Sequence, residues 1–542
     1  MTPPPASVSS ALDFTAAARW PVRAAAHLLG AGLVLAVIVA LPVAPTDLDR
    51  HQLPKETLVH LVTWLAVLLS RPLPVRGLRP AARWALLLLI VAAMASSFLA
   101  SNGWLALRAT ALMVTGAAAF ITARHIAAAG GGAVLLTWCS VAGVVGAGTG
   151  LAQAYGLDSP LFATNRVPGG TFGNRNFMAH FSGLALPVLM LATLTARRHI
   201  VALIATAGCG VLVAAIILSR SRAAWLGAAV GITLMVGASL LARRRHALPP
   251  LRGRPAWLAA MGVLAVVVAL GLPNRLAWRS ASPYSDTLIG IASHDEGSGH
   301  GRVLQYRNTA RLALRHPMLG VGPGNWPVRY GEVAPPSDPS WVFGDVVPIN
   351  PWPSSDWMAL VSELGFPGVG FALLLGVAIA WRAIAATRTS GDRMLAGASL
   401  LALLGVTWVE GSFDAVLLLP APLLFAALGI GALLQRCDDA PVDDAPLPLL
   451  TSRSAVVLSV ILGAATVRSG LQTTAYAIAG TGRSTVRLSW AARIDPGSYP
   501  IRIALAQRLS CPAARNHIVA AERMAPTWPA TIAVERRCGR LR

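Results

Sequence analysis

The residues of this sequence whose types and spacing could do chemistry are arginines, asparagines and a few acids. Ser219-Arg220-Ser221-Arg222 separates two long apolar runs. A guanidinium is always charged and presents a planar fork of donors, which suits a phosphate or diphosphate better than an ammonium does. The same pair can instead snorkel to lipid headgroups. Arg166-Val-Pro-Gly-Gly-Thr-Phe-Gly-Asn-Arg-Asn-Phe-Met-Ala precedes another apolar run. Its glycines permit tight turns, and Asn174 and Asn176 can cap the incoming helix while offering amide donors and acceptors. Free N–H groups at that helix start can also meet an anion, although a plain capped turn explains the segment as well. Downstream, the stretch from Gly301-Arg302 to His316-Pro317 has helical periodicity. Val303, Tyr306, Ala310 and Leu314 share one face, and Arg307, Arg311 and Arg315 form a stripe beside it. This predicts an interfacial amphipathic helix whose arginines meet anionic headgroups or a phosphorylated glycolipid. After Pro317 comes the glycine-rich turn Gly320-Val-Gly322-Pro-Gly324-Asn325, which meets neither phosphate-loop nor dinucleotide spacing. Acids are scarce, so two pairs stand out. Asp356 and Glu363 are seven residues apart and share a helix face, and Glu410 and Asp414 lie one turn apart. Each can be a general base or the partner of an arginine, and the partner reading is preferred.

These residues are embedded in a chain that cannot be an ordinary soluble protein. Of 542 residues, 55% are apolar and 13% charged, against about a quarter charged in soluble domains, and the mean hydropathy is +0.60. The net charge of +22 would raise nucleic acid as a partner if the basic residues clustered on one face. They are instead spread through short loops between apolar runs, almost all as arginine with Lys55 the one lysine. No nucleic-acid partner is expected. Cys139, Cys209, Cys437, Cys511 and Cys538 show neither metal-ligand nor redox spacing, so no metal and no cofactor is expected.

Runs of about 20 apolar residues cross the hydrocarbon core as helices. Thirteen are read, near 24–44, 57–70, 84–100, 104–122, 132–151, 177–195, 200–218, 223–242, 257–272, 364–381, 394–413, 417–434 and 455–474. The fold class expected is therefore an all-α polytopic membrane protein with about thirteen spans. The first run could be a signal peptide, but it is too long and Pro42-Val43-Ala44 is a poor cleavage site. With the N-terminus cytoplasmic, the inner loops hold Arg19, Arg23, Arg71, Arg76, Arg79, Arg83, Arg124, Arg197, Arg198, Arg243 to Arg245, Arg252, Arg254, Arg382, Arg388, Arg393, Arg436 and Arg453. The short outer loops hold only Arg50, Lys55, Arg166, Arg175, Arg220 and Arg222. Residues 1–435 then form a membrane core with a large outer loop at 273–363. Residues 436–454 make an Asp- and Pro-rich inner linker, 455–474 the last span, and 475–542 an outer tail. In the tail, Ala492, Ile494 and Pro496 recur thirty residues on as Glu522, Met524 and Pro526, a register like short tetratricopeptide helices and a possible docking place for a protein partner. Cys511 and Cys538 share this tail, either bridged or as two free thiols.

Four segments in order, GGTFGNRNFMAHF, LSRSRAAWLG, GHGRVLQYRNTARLALRHPMLGVGPGNW and SSDWMALVSELGFPGVG, resemble the O-antigen ligase and polymerase superfamily of bacterial membrane glycosyltransferases over about residues 150–430. The resemblance implies an inner-membrane protein with an outer-facing site. There a glycan would pass from an undecaprenyl-diphosphate carrier to lipid A core or another acceptor, without metal or nucleotide. The family's arginines carry over onto Arg222 and Arg302, with Arg166 a weaker match and Arg220 an added charge. Around them Asn174, Asn176, Arg307 and Arg311 would contact the carrier, and Gly320, Gly322, Gly324, Asn325, Glu363 and Asp414 would shape the site. The carrier diphosphate is the leaving group, so fixed arginines can stabilise its developing charge. Many members have a His-Asn pair where this chain has Ser354-Ser355 before Asp356. Either Asp356 substitutes as base, or His294 or His300 supplies an imidazole, or the activity has diverged. Within the family the sequence does not separate ligase, polymerase and protein oligosaccharyltransferase. Outside it stand a transporter or flippase of an anionic glycolipid, which would show internal repeats and midplane charges where this chain has little beyond Arg108, and a non-catalytic assembly protein acting through its tail.

Overall fold

A computed structural model describes residues 16–70, 80–245, 251–292, 297–335, 337–342, 345–438 and 452–539. Nine helices come first: α1 (Ala16–Ile38), α2 (Asp47–Ser70), α3 (Pro80–Phe98), α4 (Gly103–Ile126), α5 (Gly132–Ala154), α6 (Arg175–Thr195), α7 (His199–Ser219), α8 (Arg222–Arg244) and α9 (Arg254–Gly271). An extramembrane segment holds α10 (Pro283–Ala292), α11 (Gly297–Arg315) and the single turn α12 (Trp326–Arg329). Then come α13 (Asp356–Thr387), α14 (Gly391–Phe413), α15 (Pro420–Cys437) and α16 (Ser452–Ala479), and the tail helices α17 (Thr485–Ile494), α18 (Tyr499–Arg508), α19 (Cys511–Met524) and α20 (Pro529–Cys538). The described residues contain no strand, only an isolated bridge between Trp341 and Ile349. An all-α polytopic architecture is what long apolar runs dictate, because a helix satisfies its own backbone groups in lipid.

Twelve stretches of the described residues are long and apolar enough to span a membrane, and one of them, Gly103–Ala154, is 52 residues long. Gly130, at φ 90°, breaks that stretch into α4 and α5. The chain reverses there: Arg108 near the start of α4 pairs with Glu56 of α2, while Thr149 near the end of α5 meets Thr171, whose neighbour Phe172 accepts from Gln52 of α2. Both distal ends therefore sit at the same end of the bundle, and with this stretch counted as two helices the described residues hold thirteen long apolar helices.

The second span departs from expectation. It begins at Asp47 rather than 57, so Arg50 and Lys55 are buried helix residues and not loop charges. The ten polar residues wind into helix because each charge has a partner. The Lys55 ammonium donates to the Ala36 and Val39 carbonyls at 2.8 Å each, the free carbonyl end of α1. Arg50 pairs with Asp47 at 2.9 Å and donates to the Pro42 and Pro160 carbonyls. Arg108, the intramembrane charge visible in the sequence, is bound by Glu56 at 2.7 Å and Asp49 at 3.4 Å.

The centre of the bundle is α6, with α5, α7, α8 and α14 packed around it. At the far end, Asp438 joins Arg124 (2.8 Å) and Arg382 (2.6 Å); the rest of the Asp- and Pro-rich linker, 439–451, lies outside the described residues. The 28 residues of α16 measure about 42 Å against about 30 Å of hydrocarbon, so its last turns rise clear of the membrane. There they pack on Leu53, Leu488 and Ala491. Loop and tail share one apolar core in which Leu312, Trp326 and Tyr330 meet Tyr499, Ile518 and Trp528. A disulfide joins Cys511 to Cys538, settling which of the two thiol arrangements the tail adopts.

Glu56→Ala leaves the Arg108 charge partly unpaired. It should lower stability by about 3–5 kcal/mol, seen as a lower inactivation temperature in detergent, whereas replacing both residues with leucine should recover most of the loss.

Candidate active site

Five arginines converge at the end of the bundle where α6 and α8 begin. The turn between α7 and α8 is closed by its own side chains: the Ser221 N–H donates to the Ser219 hydroxyl at 3.1 Å and the Trp225 indole to the Ile216 carbonyl at 2.9 Å. Arg220 sits in the left-handed region at φ 55°, a conformation that a non-glycine residue adopts at a cost. Arg175 is the first residue of α6, and its N–H donates to the Arg166 carbonyl at 2.9 Å, tying both ends of the preceding loop. The Arg175 and Arg220 guanidinium groups lie 4.9 and 4.7 Å from the centroid of the Trp278 ring. Arg220 also donates to the Thr287 hydroxyl at 2.9 Å. Gly290 of α10 covers Arg222 so closely that a Cβ there would come within 2.2 Å of its guanidinium. Arg302 of α11 and Arg220 are both within electrostatic range of Arg222, and Arg166 of Arg175. Among the described residues, none of the five makes an ion pair with a carboxylate.

Beside the arginines lies a second cluster. Buried His180 of α6 has its Nδ1 3.6 Å from Glu410 and its Nε2 3.6 Å from Asp414, which ends α14. The Asn176 amide, one turn before His180, donates to Asp414 at 3.0 Å. The Glu410 carboxylate fits because Gly183 of α6 and Gly227 of α8 leave room for it: a Cβ on either would collide with the side chain. Asp414 connects the two clusters. Burial would raise its pKa, but His180 and then Arg302 hold it below the usual carboxylate value. The Tyr306 hydroxyl sits between the carbonyls of Ser354 (2.6 Å) and Ser412 (2.7 Å), and burial pushes its pKa up to about 12.

The acids therefore do not take the arginine partners preferred from sequence. Asp356 accepts from the Val416 N–H at 3.0 Å and the Leu417 N–H at 2.8 Å, fastening α13 to the chain after α14. Glu363 accepts from the Gly324 N–H at 2.8 Å and the Trp326 N–H at 3.3 Å. Gly320, Gly322 and Gly324, with φ of 66°, 98° and 68°, let the loop press against Glu363, Ala100 and Leu105. The Val321 and Gly322 N–H groups go to the Ser362 and Glu363 carbonyls, so this glycine-rich turn is a latch with few donors left for a phosphate. Asn325, fully buried, exchanges hydrogen bonds with Asn102 at 2.7 and 3.1 Å.

Asn174 caps α6 through the Asn176 N–H at 3.0 Å, leaving Asn176 as the asparagine aimed into the site. Of the helix arginines, Arg302 joins the cluster, while Arg307 and Arg311 are on an exposed face and Arg311 bonds Asn308 at 3.2 Å. The apolar face expected of α11 is the one left open, with Val303 and Leu314 exposed. The buried face is Gln305, Asn308, Thr309 and Leu312, whose polar groups find partners in the loop. His300 is exposed and His294 lies outside the described residues. The imidazole in the site is His180, which the sequence reading did not single out. Its signal was a histidine inside an apolar span one turn after Asn176. Among the described residues no three His, Cys, Asp or Glu side chains are arranged to hold a metal ion.

Glu363→Ala strands two buried N–H groups at about 1–3 kcal/mol each. It should make the loop near Gly324 sensitive to limited proteolysis, and Glu363→Gln should do so less.

Residues 207–373, which run from α7 through the extramembrane segment into α13, match the family model described as O-antigen ligase. That span contains Arg220, Arg222, Arg302, Asp356 and Glu363. No curated protein matches the chain. Over these residues the chain is thus similar to the O-antigen ligase family, and its many long apolar helices make it a multi-pass membrane protein.

Proposed function

We propose that the chain moves a glycan from an undecaprenyl-diphosphate carrier to an acceptor such as lipid A core, at the periplasmic face of a bacterial inner membrane. The observation that carries this reading is the convergence of Arg166, Arg175, Arg220, Arg222 and Arg302, none of which makes an ion pair with a carboxylate among the described residues. Like charges held together at a membrane surface repel, and a dianionic ligand relieves that repulsion. The pieces are placed for a lipid-linked substrate. The cluster opens at the helix ends, where a diphosphate would sit with its polyprenyl tail in the bilayer.

In the proposed reaction, the acceptor attacks the anomeric carbon, and the bond from that carbon to the phosphate oxygen breaks. Its electron pair leaves with the diphosphate, whose growing charge Arg222 and Arg302 stabilise. Arg220 and Arg175, stacked on Trp278, orient the carrier. Two further features support the outward orientation: among the short loops, arginine is richer in those at the opposite end, and the tail on the cluster's side carries a disulfide, which fits an oxidising compartment. A flippase fits less well, since these arginines lie at helix starts and not at mid-membrane.

Deleting the gene in the native host and complementing it with wild type or Arg222→Ala tests the reading. Surface polysaccharide, glycoproteins and undecaprenyl-linked glycans would be resolved together. The expected result is loss of the long ladder and accumulation of long carrier-linked glycan, restored by wild type. Arg222→Ala should be slower by about 10²–10³. A ladder shortened to one repeat would mean a polymerase, and lost glycoprotein an oligosaccharyltransferase. No change in any pool would contradict the proposal.

A further inference from the structure

We infer that Asp414, His180 and Glu410 form a relay that takes the proton from the acceptor, with Asp414 as the catalytic base and His180 and Glu410 as positioning residues behind it. This rests on the glycosyl-transfer reading above and adds the residues that perform its proton step. Three observations carry it. First, both ring nitrogens of His180 and both oxygens of Glu410 are buried without a hydrogen-bond partner, a costly arrangement for two side chains whose polar atoms are all left so. Second, the groups are in line. Asp414 lies 3.6 Å from His180 Nε2, and Glu410 lies 3.6 Å from Nδ1 on the opposite side of the ring. A proton entering at one nitrogen and leaving at the other traverses the imidazole. Third, Asp414 is the member at the site's edge: its side chain keeps 12% exposure while His180 and Glu410 have none, and it lies within electrostatic range of Arg302.

Asn176 holds Asp414 by one carboxylate oxygen, and the Ala415 N–H donates to the other at 2.9 Å. Both fix the direction of its lone pairs. The remaining groups around the relay are Asp356 from α13 and Arg302 and Tyr306 from α11. Asp356 accepts from the Val416 and Leu417 N–H groups, and the Tyr306 hydroxyl lies against the Ser354 and Ser412 carbonyls.

The balance is simple. As the acceptor oxygen or nitrogen bonds to the anomeric carbon, its proton moves to the Asp414 carboxylate. It passes to His180 Nε2 while Nδ1 gives its own to Glu410. The bond to the diphosphate breaks with its electron pair on the leaving oxygen. When the lipid diphosphate departs, the proton on Glu410 returns through His180 to Asp414 and passes from there to the leaving diphosphate oxygen or to water, which restores the three groups.

The test uses the purified full chain in lipid nanodiscs. Lipid extract of the deletion strain supplies untransferred donor and bare acceptor. His180→Gln and Asp414→Asn keep the shape of the side chains. They should lower kcat by about 100-fold or more while leaving donor KM within about twofold. Glu410→Gln should show a smaller fall in the same direction. Binding of undecaprenyl diphosphate, measured on the same samples, separates function from folding: each variant should bind it as wild type does. Wild-type kcat in His180→Gln would overturn the relay. Joint loss of kcat and carrier binding would also overturn it, because the residues would then only hold the fold. Arg222→Ala with unchanged KM and kcat would sink the diphosphate reading and leave the relay result standing by itself.

Discussion

Charge in or near a bilayer must be neutralised, and several of the described side chains meet that constraint with a direct partner. Arg108 is met by Glu56 and Asp49, Arg124 and Arg382 by Asp438, and Lys55 by the carbonyl end of α1. Arg254 donates to the Leu194 and Ala196 carbonyls. Among the described residues, the five arginines around the starts of α6 and α8 and on α11 make no ion pair, and only Arg302 has an acid, Asp414, within electrostatic range. Their mutual repulsion is borne by the surrounding structure. Trp278 takes two guanidinium faces, Thr287 fixes one nitrogen, and the tight turn at Ser219 to Ser221 allows no retreat. An arrangement held this firmly against its own field is what the proposed diphosphate site requires, the ligand supplying the missing charge.

The helices behind the site exist to make that arrangement rigid. Small residues do much of it: Gly183 and Gly227 admit the Glu410 carboxylate, Gly411 admits Asp356, and Gly290 lets α10 lie on Arg222. The latch of Glu363 on the Gly324 turn and the Asn102–Asn325 pair fasten the extramembrane segment to α3, α4 and α13. The tail then braces the same segment from outside, with the Trp528 indole on the Pro327 carbonyl and the Asn102 amide on the Met524 carbonyl. Site, loop and tail are thereby one mechanical unit, and a binding event on the tail would be felt at α12 and α13.

Much of this was legible from residues alone, and the parts that were not share a physical reason. Apolar runs of membrane length declare their own helices, and the arginine turn between α7 and α8 was readable because so short a connection leaves no freedom. The first three turns of α2 were missed because DLDRHQLPKE is polar, and its helix depends on partners contributed by α1, α4 and the 160–172 loop. The acids were readable as special but not as to partner: Asp356 and Glu363 bind backbone N–H groups, which no residue type announces. His180 escaped notice since one histidine in an apolar helix gains meaning only when α14 brings Glu410 and Asp414 against it.

The central claim is that the arginine cluster recognises the diphosphate of a polyprenyl carrier. Its most direct test is equilibrium binding of undecaprenyl diphosphate and undecaprenyl monophosphate to the purified full chain, at low and high salt. The account predicts that the diphosphate binds at least about tenfold tighter, roughly 1.4 kcal/mol, and that Arg220→Gln with Arg222→Gln erases the difference. It also predicts that salt weakens the diphosphate complex most. Equal affinity for the two lipids in the wild-type chain, or a preference that survives the double substitution, would contradict it.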